Sequence, residues 1–133
     1  MRKVSGFTII ELVVVITILG ILAAIALPKF FDVADDARTA SAAGVAGAVA
    51  SGAAINYGAF LAKGSLVTAG VVSVTTCSTS VLGRVLTGGF PPNIAVSDGG
   101  FGTQTTSGSV GACIFVHSGG GLSTTVSVIS VVG

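Results

Sequence analysis

Charge is the scarcest thing in this sequence. Only 8% of its 133 residues are Asp, Glu, Lys or Arg, against about 25% in an ordinary soluble domain, so an isolated monomer has little to keep it dispersed. Packing against other subunits accounts for such a deficit. Tryptophan is absent, and there are one tyrosine, one histidine, three prolines and two cysteines. Cys77 and Cys113 lie far apart with no His or Cys neighbour at metal-ligand spacing, which argues against a zinc-type centre; no metal and no cofactor is expected. The formal charge of +1 gives no bulk attraction for nucleic acid. From Lys63 onward the basic side chains are Lys63, Arg84 and His117, too few for a basic patch that tracks phosphates.

Enzymatic chemistry has equally little to work with. His117, Asp98 and one of the many serines contain the residue types of a triad, but no nucleophile elbow surrounds any serine, and a lone histidine in a strand is ordinarily a packing or surface residue. The glycine-rich stretches Gly99–Gly102 and Ser118–Gly121 lack the Lys-Ser/Thr ending of a phosphate loop and open no helix. The expected class is not an enzyme.

What the chain has is an apolar run from Phe7 to Leu27 interrupted by a single charge, Glu11, and preceded by Arg2 and Lys3. As a helix it is long enough for a bilayer core of about 30 Å, and the two basic residues hold its start on the cytoplasmic side. A secretory signal peptide has its small-residue cleavage site after the apolar region. Here the small residue, Gly6, comes before it, so processing at Gly6 keeps the hydrophobic helix in the mature protein.

Gly6, Phe7, Thr8, Ile9, Ile10, Glu11 and Leu12, with basic residues upstream, resemble the processing motif of type IV prepilins. The likeness extends through PKFFDVADDAR at Pro28 to Arg38, which looks like the mannose-sensitive haemagglutinin branch of the type IVa pilins. It implies cleavage between Gly6 and Phe7 by a membrane prepilin peptidase and N-methylation of Phe7. The subunit is then stored in the inner membrane and polymerised with copies of itself by pilus assembly machinery, giving an extracellular filament on the bacterial surface. Glu11 is the implied assembly residue, because an ionised carboxylate in hydrocarbon is expensive unless paired and the Phe7 amine of an adjacent subunit is a fitting partner. Within one subunit the same carboxylate can instead cap its own N-terminus. Two rivals share the helix: a pseudopilin of a type II secretion system, and a minor pilin acting as a binding module. Asp98 alone supplies few of the oxygens a calcium site in the head requires, which argues against the calcium-binding pseudopilins.

Four segments follow: a leader over 1–6, a hydrophobic transmembrane or filament-core helix over 7–28, an amphipathic continuation over 29–62, and a globular β head over 63–133. The fold class is α+β, a long helix whose apolar half is exposed and whose second half packs on a small antiparallel sheet. A helix from Phe7 to Leu61 runs about 80 Å. In its second half Ala42, Ala46, Val49, Ala53, Tyr57 and Phe60 form one apolar face. Gly44, Ala48 and Gly52 repeat on another, either as a close-approach stripe for a neighbouring helix or as a consequence of Ala/Gly-rich composition. Gly20 and Pro28 are its weak points, since proline removes a backbone donor and clashes with the preceding turn; the resemblance implies partial unwinding between them in a filament.

Asp32, Asp35 and Asp36 lie within helical reach of Lys29 and Arg38, as in a solvated, salt-bridged helix face. In the head, Val110–His117 and Ser123–Val132 read as a hairpin through the glycine-rich turn Ser118–Leu122. Val71–Thr76 is a further strand candidate, Val81 to Leu86 a short helix, and Pro91–Gly108 a loop. An exported head with two cysteines favours a Cys77–Cys113 disulfide. Removal of Arg2 and Lys3 with the leader leaves four basic against five acidic residues, a net side-chain charge of −1.

Overall fold

The computed structural model describes residues 6–133, so the leader residues before Gly6, including Arg2 and Lys3, lie outside the described part. A single long helix, α1, spans Ile9–Ala62. It is followed by the short helix α2 (Thr79–Leu82), a 3-10 turn (Gly83–Val85), and the strands β1 (Ile94–Asp98), β2 (Val110–His117) and β3 (Thr124–Ile129). The strands form one antiparallel sheet in the order β1-β2-β3. The architecture is therefore α+β. The chain divides into two units, one ending at Ala34 and the other comprising Asp35–Gly133.

Helical periodicity accounts for how the second unit closes. Ala42, Ala46, Val49, Ala53 and Phe60 recur at steps of three, four or seven along α1 and are all buried, with Tyr57 half-buried beside Phe60. Most side chains along this stripe are small, and they belong to one buried cluster with the head. The opposing layer is Val74, Leu82, Ile94, Phe101, Cys113, Phe115 and Val128. Phe101 and Phe115 are fully enclosed, each worth roughly 2–3 kcal/mol of apolar burial, and Phe115 stacks on Phe90 with centroids 6.4 Å apart. Gly52 belongs to this contact, because a Cβ placed there would meet the Val85 carbonyl oxygen at 2.7 Å. Its close approach is thus to its own head. Gly44 and Ala48, grouped with it by spacing, remain exposed.

Asn56 is the polar residue on the buried face. Its side-chain amide donates to the Val72 carbonyl and its carbonyl accepts the Val72 N–H, both at 2.7 Å. The pair substitutes for a strand partner and pins the segment after α1 to the helix. Next to it, Val74 makes an antiparallel bridge with Val131, so the strand expected over Val71–Thr76 is reduced to one bridge. Replacing Asn56 by leucine leaves both Val72 backbone groups without these partners. The expected loss is about 2–4 kcal/mol of head stability, read by denaturant unfolding of the detergent-solubilised protein.

The β2–β3 hairpin and its turn agree with the sequence reading, and Ser78 caps α2 by accepting the Val81 N–H. The loop reading of Pro91–Gly108 is corrected. Within it Ile94–Asp98 is strand β1, paired with β2 from Ile94↔His117 to Asp98↔Cys113. Pro91-Pro92 and Asp98-Gly99-Gly100 bracket so short a run that punctuation dominates the local pattern. The open edge of β2, and the burial of Ile94 against it, decide the outcome. Cys77 and Cys113 are joined in a disulfide, with Cα atoms 5.7 Å apart, tying the approach to α2 onto the central strand.

Candidate functional site

Residues Gly6 to Thr8 precede the first turn of α1 and are solvent-exposed. Thr8 is the N-cap. Its hydroxyl oxygen accepts the Glu11 N–H at 3.3 Å, while a Glu11 carboxylate oxygen accepts both the Thr8 N–H at 3.2 Å and the Thr8 hydroxyl at 2.9 Å. This reciprocal arrangement is a capping box. It satisfies two of the N–H donors that a helix start leaves without partners, and it gives the charged residue of the apolar run a partner inside its own subunit. The T-x-x-E spacing of Thr8-Ile9-Ile10-Glu11 is the sequence signal for it, and it gives the expected capping within one subunit a specific partner, Thr8.

From Ile9 through Val33 the large apolar side chains described on α1 are exposed on every side of the helix, among them Ile9, Leu19, Ile25 and Phe30. The helix has the length and composition to cross a membrane. Thr17 turns its hydroxyl onto the Val13 carbonyl at 2.7 Å, a backbone bond that hides a polar group in apolar surroundings. α1 runs through Gly20 and Pro28 without interruption. At Pro28 the ring nitrogen has no hydrogen to give to the turn before it, and at Gly20 nothing lies within 4 Å of a would-be Cβ. Beyond the proline, Arg38 pairs with Asp35 at 2.7 Å on the helix surface, a contact worth little by itself.

The head residues singled out for catalysis are not brought together. The β1–β2 register puts Ile94 opposite His117 and Asp98 opposite Cys113, so Asp98 and His117 sit at opposite ends of the ladder. His117 Nδ1 accepts the Gly119 N–H at 3.0 Å, and the Asn93 side-chain amide lies 2.9 Å from Nε2, the nitrogen that carries the ring hydrogen when Nδ1 accepts. Asp98 accepts the N–H groups of Gly100, Phe101 and Gly102. These bonds, the Gly102 amide foremost and then that of Gly100, hold its carboxyl below the usual carboxylate range. The Gly99–Gly102 loop therefore folds its amides around the chain's own carboxylate. No cluster of three or more His, Cys, Asp or Glu side chains suited to a metal occurs among the described residues.

The family model for the prokaryotic N-terminal methylation motif matches residues 1–27. Among curated proteins, the type IV narrow pilus major component PilA5 of Thermus thermophilus is 51% identical over 53 residues, 40% of this chain and 46% of that protein. The type IV major alpha-pilin of Moraxella bovis is 47% identical over 60 residues, 44% of this chain and 38% of its own length. The type II secretion system core protein G of Pseudomonas aeruginosa is 46% identical over 50 residues, 38% of this chain and 35% of its own. The chain thus spans less than half the length of each of these relatives. No solved structure matches it significantly. The methylation motif, the pilin relatives and the succession of one long apolar helix and a small antiparallel sheet make the chain similar to type IV pilins, with the sequence likeness carried by its N-terminal part.

Proposed function

We propose that the chain is a structural subunit which is cleaved after Gly6, methylated at Phe7, stored in the inner membrane through residues 7–28, and polymerised into a surface filament. The observation that carries this reading is the charge-poor helix, apolar on every side, that begins directly after the cleavage motif. A helix with no polar face is at rest only in lipid or among copies of itself. Burial of the same side chains in a helical bundle, at about 25 cal/mol per Å², drives assembly once the subunit leaves the bilayer. Glu11 sets the register: an incoming Phe7 amine competes with Thr8 for its carboxylate, and a charged donor forms the stronger bond. Gly20 and Pro28 are the positions where the helix yields during packing. The head, pinned by its disulfide, forms the outer shell, and the filament serves adhesion, attachment or motility.

Processing is the first test. Intact-mass analysis is expected to show loss of Met1 to Gly6 and one added methyl group. Gly6→Trp is expected to leave uncleaved precursor in the membrane fraction and to reduce surface filaments at least tenfold; normal filaments from this variant would contradict the proposal. The likeness to core protein G supports a second reading as a secretion pseudopilin, which shares the cleavage and the helix. The two part at the cell surface. An antibody to the head finds the subunit in sheared filaments if it is a pilin, and only in the cell envelope if it is a pseudopilin.

A further inference from the structure

Besides the Ser118 N–H, which donates to the Asn93 carbonyl at 2.8 Å, the turn between β2 and β3 is fastened at two points, and one of them depends on the charge of a side chain. At its start, His117 Nδ1 accepts the Gly119 N–H at 3.0 Å, and the Gly120 N–H donates to the His117 carbonyl at 3.0 Å. At its end, the Leu122 N–H donates to the Thr39 hydroxyl of α1 at 3.0 Å. The turn lies tight against the helix between these points. A Cβ on Gly121 would meet Thr39 Oγ1 at 3.1 Å and Arg38 Cβ at 3.2 Å, and a Cβ on Gly119 would meet His117 Nδ1 at 3.1 Å and Arg38 Nε at 3.3 Å. The His117 ring and the Arg38 guanidinium thus converge on one glycine.

We propose that His117 is a pH-sensitive clasp, holding the 118–122 turn on α1 while its imidazole is neutral and releasing it when the imidazole is protonated. An imidazolium has a hydrogen on both ring nitrogens and no acceptor. Protonation therefore turns the Nδ1···H–N contact to Gly119 into two opposed donors, and it places a second positive charge beside Arg38. Histidine is the side chain whose charge ordinarily changes between about pH 5 and 8. The groups bonded to the ring nitrogens carry no charge. Asn93, which faces Nε2, is neutral, and neither the turn nor β3 contains an ionisable residue. On α1 the carboxylates one turn before Arg38 and Thr39 are Asp35, which is bonded to Arg38, and Asp36. Charge on the ring is thus relieved by letting the turn swing away, which breaks the Leu122 bond to Thr39 and uncovers the Arg38–Thr39 surface of α1.

The test uses the full chain, 15N-labelled in detergent micelles, with amide protection and heteronuclear NOE values followed from pH 8 to pH 5 alongside the His117 ring signals. Protection at Gly119 and Leu122 is expected to fall at least tenfold with the same midpoint as the ring, and NOE values over residues 118–122 to drop toward those of a mobile loop, while amides of Gly111–Cys113 stay unchanged. His117→Gln keeps an acceptor that does not titrate, so its turn is expected to stay closed throughout; His117→Phe has no acceptor and is expected to show the open turn even at pH 8. An unchanged turn across the His117 titration overturns the proposal. So does the same pH dependence in His117→Gln, since the responsible group is then Asp35 or another carboxylate.

Discussion

Glu11→Val is expected to abolish surface filaments while processed subunit accumulates in the membrane. The substitution makes the segment more apolar, so insertion is retained or improved, but the carboxylate proposed to receive a neighbour's amine is gone. The capping box complicates a simple reading, because valine also removes the bonds to Thr8. Glu11→Gln separates the two effects. Glutamine at this position completes a capping box as glutamate does, yet it has no charge to attract a cationic amine. If the charge matters for assembly, both variants reduce the sheared-filament fraction at least tenfold on immunoblots of shear and membrane fractions. If helix capping alone matters, Glu11→Gln keeps wild-type filaments. Wild-type filament levels in both variants would remove Glu11 from assembly altogether.

Loss of the Cys77–Cys113 bond is expected to be the most damaging change in the head. The bond closes a loop of 36 residues in sequence separation, for which the chain-entropy relation gives about 4 kcal/mol. A head whose core rests on a few fully enclosed side chains, Phe101, Phe115 and Leu82 the largest among them, cannot absorb that loss easily. Cys113 itself is fully buried, and Cys77 belongs to the shell packed around the same cluster. The double variant Cys77→Ala, Cys113→Ala avoids stray thiols. Denaturant unfolding of the solubilised protein is expected to show the 4 kcal/mol drop, and subunit yield in the envelope to fall with it. A change under 1 kcal/mol would mean that the packing of α1 on the sheet stabilises the head without the bond.

In the proposed function, stability and assembly rest on different parts of the chain. In the proposed subunit the N-terminal half of α1 supplies the apolar surface and the carboxylate that recruit other copies, and the residues from Asp35 onward supply a compact body held by Asn56, the disulfide and the Asp98 loop. Changes in one half are expected to leave the other intact. Glu11 variants should still fold their heads, and the double cysteine variant should still be cleaved at Gly6 before its head fails.

Long-period and strongly local patterns were readable in the amino acids. An apolar run with a small residue ahead of it, and Ala42, Ala46, Val49 and Ala53 on a single helical face, need no distant partner to be recognised, since composition and the 3.6-residue period alone specify them. Val110–His117 was legible for the same reason: it is long for a strand, rich in β-formers and followed by a turn. Tertiary structure decided the rest. Ile94–Asp98 became a strand because β2 had an edge to fill, and Val71–Thr76 kept a single bridge because Asn56 and the Cys77 bond draw the chain toward α1 and β2. Gly52 was claimed by Val85 of its own head, a contact that no spacing along one helix can reveal. His117 became a hydrogen-bond acceptor beside Arg38 because the hairpin turn folds back on a helix that lies far away in sequence. Each of these outcomes depends on what the partner segment offers once the chain has folded, and that information is distributed over residues that no local window contains.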